Sequence, residues 1–211
     1  MKGLVLKDIY NVVAHAKSLI LILVIFSFAF QPIQCVCMVA IICGSLISTT
    51  FSVDEYSKWP RFAMVMPITR KELVGAKYVV QMILSVIGAT AGLFISGISG
   101  LLLHKIELIT EDINPLLVAT LMAVFLSMLL GSIMIPLLFK FGAEKARIVL
   151  LGAAMIPAAM IVGLYFLLEK LGIVLSDTVM FVGLIGLIIL ILLWMYCSYL
   201  ISSHIFEKQD L

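Results

Sequence analysis

Five long stretches of this chain carry no charged residue: 18–53, 78–103, 113–139, 148–168 and 178–206, with the charges gathered in short clusters between them. A helix rises about 1.5 Å per residue, so a hydrocarbon core takes roughly 20 residues to cross. The last four stretches therefore predict one crossing helix each. The first has 36 residues, too many for one crossing and tight for two. Gln31-Pro32-Ile33-Gln34 lies near its middle, where a proline flanked by amides predicts a turn. A close helical hairpin follows, with a re-entrant loop as the alternative. The pattern predicts an all-α polytopic membrane protein with six spans, at about 18–31, 34–53, 78–103, 115–139, 148–168 and 179–202.

The polar segments have patterns of their own. In residues 1–17, Met1, Leu4, Val5, Ile9, Val12, Val13 and Ala16 recur at threes and fours, with Lys7, Asp8, Asn11 and His15 on the other side. That predicts an amphipathic helix lying in the membrane interface. The segment 54–77 is long for a plain connection. Tyr56, Trp59, Phe62 and Ala63 sit at helical spacing among Asp54, Glu55, Lys58 and Arg61, which predicts a short helix with an aromatic face and a charged rim. Such a helix is either an anchor for a protein partner or an interfacial helix marking the headgroup level. After Met66-Pro67, Thr69 and Glu72 form a T-x-x-E capping box that predicts a new helix start. Within the spans, Gly88, Gly92, Ser96 and Gly100 recur at fours, as do Ala119, Ala123, Ser127 and Gly131. Small-residue stripes let helix backbones approach in lipid, inside one subunit or between two. Pro136 and Pro157 are candidate kinks.

Composition sharpens this picture. Of 211 residues 64% are hydrophobic and 12% charged, and the mean hydropathy is +1.25. That leaves too little polar surface for a water-soluble globule. The net charge of +2 matters less than its distribution. With the N-terminus inside, twelve of the fourteen basic residues fall on inner segments, and only Lys105 and Lys170 fall outside. The positive-inside rule then puts both termini in the cytoplasm. The longest polar stretch, 54–77, is too short to fold alone, so the sequence holds no separate ATPase, kinase or DNA-binding domain.

The chemistry that the residues lack narrows the function. No Asp, Glu, Lys, Arg or His falls in the middle of a span, which argues against proton coupling and against a charged ion filter. Cys35, Cys37, Cys43 and Cys197 lie in apolar runs, where thiols act as small hydrophobes. Gly97-Ile98-Ser99-Gly100 matches the G-x-S-G string of rhomboid proteases, but that chemistry needs a histidine within reach of the serine. His15 and His204 belong to the other side, and His104 faces another way on the same helix end. There is no H-E-x-x-H and no phosphate-cradling glycine loop. The chain is predicted to be no enzyme and to hold no cofactor, metal or nucleic acid.

The inner connections resemble a known family. D-E-x-S-K-W-x-R-F at 54–62, M-P-I-T-R-K-E-L-V at 66–74 and K-Y at 77–78 are similar to the permease subunits of type-2 ATP-binding-cassette (ABC) exporters. The likeness is greatest to a small six-span branch that includes the phenol-soluble modulin exporter permeases of Gram-positive bacteria. P-x-x-x-K-F-G-x-E-K-x-R at 136–147 and the tail at 202–211 resemble the same branch. The resemblance implies that 54–64 is a coupling helix docking in a separate cytoplasmic ATPase, with Trp59 and Phe62 as anchors and Glu55, Lys58 and Arg61 as the rim of a contact that begins at Asp54. Lys140, Gly142, Glu144, Lys145 and Arg147 would make the second ATPase contact, and residues 1–17 would be the elbow helix. It implies two permease subunits, identical or sibling, and two ATPase copies that carry ATP and Mg, in a bacterial cell membrane. The expected cargo is an amphipathic peptide or another hydrophobic molecule. The rival reading is a non-transporting assembly or immunity factor that grips a cytoplasmic partner through 54–77.

Overall fold

A computed structural model describes residues 1–15, 23, 30–102, 113–153 and 177–208. Among them every regular element is helical. The helices are α1 (Lys2–His15), α2 (Pro32–Ser45), α3 (Ile47–Tyr56), α4 (Trp59–Ala63), α5 (Arg70–Leu102), α6 (Ile113–Ala153) and α7 (Asp177–Glu207). Four segments are long and apolar enough to cross a membrane: Pro32–Tyr56, Arg70–Ser99, Leu116–Lys145 and Ile188–Glu207. They correspond to the second, third, fourth and sixth expected spans. The first lies outside the described residues except for 23, 30 and 31, and the fifth, with Pro157, except for 148–153.

Local chemistry accounts for the helix starts. Gln31 is extended and Pro32 opens α2, where the missing proline N–H costs nothing. At α5 the expected capping box is made: Glu72 N–H donates to Thr69 Oγ1 at 3.2 Å, and Thr69 N–H donates to Glu72 Oε2 at 3.0 Å. The end of α7 is closed by Arg70, whose Nη1 donates to the carbonyls of Phe206 at 2.9 Å and Glu207 at 2.7 Å. A cation there satisfies orphan carbonyls and complements the helix dipole.

Packing centres on α2, α5 and α6. Gly88 and Gly92 of α5 face α2 so closely that an added Cβ would lie 2.6 Å from Cys43 Cβ and 2.9 Å from the Val36 Cα. This part of the small-residue stripe is used inside the chain; Ser96 is also buried, and the surroundings of Gly100 are outside the described residues. The second stripe also packs inward at Ala123 and Ser127, and Ser127 Oγ donates to the Ala40 carbonyl of α2 at 3.0 Å. The outward side of α7, with Ile189, Leu193, Trp194 and Ile201, is exposed and apolar, as suits a face turned to lipid.

Pro136 and Gly142 treat α6 differently. Pro136 sits inside the helix, and the non-helical residue is Gly142, at φ 76 and ψ 170. Proline removes the amide that would have bonded the carbonyl four residues back, on Ser132. That carbonyl instead accepts a hydrogen bond from Ser198 Oγ of α7. Ser198 in turn shares a hydrogen bond with Tyr78 of α5 at 2.6 Å, and Tyr78 shares another with Ser202 at 2.8 Å. One lost backbone bond thus becomes a hydroxyl network tying α5, α6 and α7 together, in an interior where an unpaired carbonyl is costly.

Two expectations need correction. The helix at 54–64 is not continuous: α3 runs to Tyr56, Lys58 is left-handed at φ 51, and α4 begins afresh at Trp59. Pro60 explains this, because in an unbroken helix its ring would clash with the carbonyl of Tyr56. The polar side of α1 is also divided otherwise than expected. Its buried positions are Leu4, Asp8 and Val12, while Leu6, Tyr10 and Val13 are exposed. Asp8 turns inward because a cation waits there.

Candidate functional site

The charged groups converge at one end of the bundle, where α1, α3, α4 and the first turns of α5 meet. Four of them close a ring. Lys77 Nζ lies 3.0 Å from Asp8 Oδ2 and 2.6 Å from Asp54 Oδ2. Lys7 Nζ lies 3.0 Å from Asp8 Oδ1 and pairs with Asp54 Oδ1. Lys77 also donates to Thr50 Oγ1 at 3.1 Å and sits 4.8 Å from the Phe51 ring centroid. Asp8, Asp54 and Lys77 are almost completely buried. A neutral ring of two cations and two anions meets the cost of burial mutually, and it binds α1, α3 and α5 in one register. Replacing such a group with a hydrophobe leaves its partners charged and unpaired.

Asp54, expected on a docking rim, is therefore turned inside. Trp59 is half-buried, with Lys7 Nζ 4.7 Å from its ring centroid, and its indole N–H is buried without a hydrogen-bond partner. Through Lys7, Trp59 ties α4 to the ion-pair ring. What α4 presents outward is Phe62, 62% exposed, with Lys58 and Arg61 beside it and Tyr56, 94% exposed, at the preceding break. Phe62 stands between the exposed cations Lys58 and Arg61, while Tyr56 shares a cleft with Glu55 and Glu144.

The second connection comes to the same place. Lys140, Glu144 and Lys145 are exposed, and Lys140 Nζ lies 5.3 Å from the Phe141 ring centroid. Arg147 lies in α6, with its side chain outside the described residues. Gly142 faces Glu55: an added Cβ would stand 3.1 Å from Glu55 Oε1. Ala143 N–H donates to Glu55 Oε2 at 2.9 Å. A cleft of about 360 Å³ opens on one side of this contact, between Phe51, Pro60, Lys140 and Phe206. Another of about 440 Å³ lies on the other side, between Ser52, Tyr56 and Glu144. Glu55 and Ala143 line both.

Other expected residues fall elsewhere. Ser99 Oγ donates to the Ser96 carbonyl of its own helix at 3.0 Å, and His104 is outside the described residues. Among the described residues no group of His, Cys, Asp and Glu could hold a metal. The ring residues were expected apart, Lys7 and Asp8 on the polar side of an interfacial helix and Lys77 in the motif at 77–78, and not as one cluster. Their signal was faint: a charge at the fourth place between Leu4 and Val12, and a lysine seven residues into α5.

A family model described as ABC-2 family transporter protein matches residues 3–207. No curated protein matches the chain, and no solved structure matches it.

Proposed function

The chain belongs to the ABC-2 family of transporter proteins, and on that premise we propose that this multi-pass permease is the membrane half of an exporter driven from the cytoplasm. ABC-2 permeases are the membrane components of transporters and work with an ABC ATPase. In our reading six spans cross a bacterial membrane, both termini are cytoplasmic, and two permeases pair with two ATPase subunits that hold ATP and Mg. The partner's cycle moves α4, and the bundle rocks to release an amphipathic peptide or similar apolar cargo outward. The branch exporting phenol-soluble modulins is the model for that cargo.

One observation carries the proposal. The exposed edge of α4 offers an aromatic anchor, Phe62, flanked by Lys58 and Arg61, on a base braced by Trp59 and the ion-pair ring. A short helix that is rigid behind and aromatic in front suits an acidic, apolar groove on a soluble partner. Exposed Lys140, Glu144 and Lys145 extend the same surface, and an excess of cations steers an acidic partner toward it.

The test is co-expression with an ATPase carrying a Walker motif from the same operon, followed by co-purification and efflux measurement. Arg61→Glu with Phe62→Ala is expected to weaken ATPase binding about thirtyfold or more, the usual cost of losing a central aromatic anchor. Unchanged binding would sink the docking surface. Tight binding of the unaltered protein with no movement of any amphipathic peptide would favour a non-transporting assembly instead.

A further inference from the structure

Two interruptions of the helical backbone meet across one hydrogen bond. Lys58, at φ 51, lies three residues beyond Glu55. Gly142, at φ 76, immediately precedes Ala143. Gly142 divides α6 into a long rod from Ile113 and a short one from Ala143 to Ala153, which leads toward the apolar run 148–168. Its φ and ψ lie in a region that only glycine occupies readily. The break strips the amides at the start of the short rod of their helical acceptors. Glu55 supplies one acceptor from 88 residues away.

The position of Glu55 is unfavourable for its own helix. It is the penultimate residue of α3, where the helix dipole is negative and a carboxylate is disfavoured. At the start of the short rod the same carboxylate meets a positive dipole end. Its location makes electrostatic sense as a cap for the rod and not as part of α3. The bond lies between two open clefts that Glu55 and Ala143 both line. Beyond the edge-to-face contact of Phe51 with Phe139, 4.8 Å between ring centroids, it spans the groove between the two connections as a strut.

We propose that Glu55 is a positioning residue that ties the segment before α4 to the Gly142 hinge, so that displacement of α4 turns the short rod and the span beyond it. The inference rests on the ATPase-driven reading above, and it takes Glu55 and Gly142 out of the direct partner contact. The two connections then move as one body, and the second answers the first without being pushed separately.

Two measurements test it on the full-length protein. The first is hydrogen exchange of the permease alone in nanodiscs. Glu55→Ala is expected to speed exchange about fivefold in peptides covering 143–145, the effect of losing a helix cap, with Glu55→Gln intermediate. No change there would overturn the strut. The second uses inside-out vesicles holding the permease with its ATPase, supplied with a dansyl-labelled cationic amphipathic helical peptide. Glu55→Ala is expected to keep ATPase binding while cutting peptide accumulated per ATP hydrolysed severalfold, with Glu55→Gln recovering part of it. Lost ATPase binding would make Glu55 a docking residue, and faster exchange with an unchanged peptide-to-ATP ratio would make it only a cap; either result overturns the proposal. Failure of the unaltered permease to bind any ATPase would instead strike the functional reading, with the exchange result still deciding whether the strut exists.

Discussion

The helix α6 loses a regular backbone bond twice, and the two losses are repaired in different ways. At Pro136, inside a span, the stranded Ser132 carbonyl takes a neutral hydroxyl from Ser198 of α7. At Gly142, near the end of the bundle, the stranded Ala143 amide takes the carboxylate of Glu55. In the first case the backbone stays helical; in the second it turns. The difference follows from solvent. A hydroxyl can be buried beside lipid because it is uncharged and bonds elsewhere, here to Tyr78. A carboxylate with no cation beside it is tolerated where it is exposed, as Glu55 is. The interior repair therefore locks helices together, while the peripheral one can open and let water take its place. The ion-pair ring is the extreme case, with charges buried but balanced.

Four substitutions sharpen this contrast. The largest effect is expected where water has no access. Lys77→Met leaves Asp8 and Asp54 facing each other with only Lys7 between them, a loss of about 3–5 kcal/mol. Thermal unfolding in detergent is expected to show it, and Asp8→Asn added to Lys77→Met is expected to recover part. Gly142→Ala comes next, at up to about 3 kcal/mol, because the φ region is closed to alanine; an unmoved unfolding midpoint would mean the hinge relaxes freely. Ser198→Ala is expected to cost about 1–2 kcal/mol by orphaning the Ser132 carbonyl. Combining it with Pro136→Ala, which restores the internal helix bond, is expected to remove most of that loss in a double-mutant cycle. Glu55→Ala is expected to be smallest, under about 1 kcal/mol, since the freed amide can turn to water. A larger cost for Glu55→Ala than for Ser198→Ala would reverse the comparison.

Much of the fold was legible in the order of apolar runs. Pro32 opened α2 where a turn was expected, and Thr69 with Glu72 opened α5 through the capping box. The stripe through Gly88 and Gly92 was readable as a close helix contact, although not which helix would fill it. The site was less legible. Phe62, Lys58 and Arg61 are exposed, but Ala63 of the expected aromatic face is buried, and Asp54, Trp59 and Glu55 turn to other parts of the chain. Periodicity ranks the faces of one helix, and a charge looks like surface until its partner is known. The partner of Asp54 on α1 is 47 residues away, and that of Glu55 is 88.

What the sequence determined alone was the class of solvent around each segment: hydrocarbon for the long uncharged runs, water for the charged clusters. Free energy of transfer depends on composition and length, both of which a single strand of text carries. What tertiary structure decided was which polar groups leave water nonetheless. Lys77 can be buried only because Asp8 and Asp54 arrive together from two other helices, and Pro136 is tolerated because Ser198 stands opposite the carbonyl it frees. Those pairings are properties of three-dimensional neighbourhood, since an electrostatic or hydrogen-bond debt inside a membrane can be cancelled only by a group within about 3 Å.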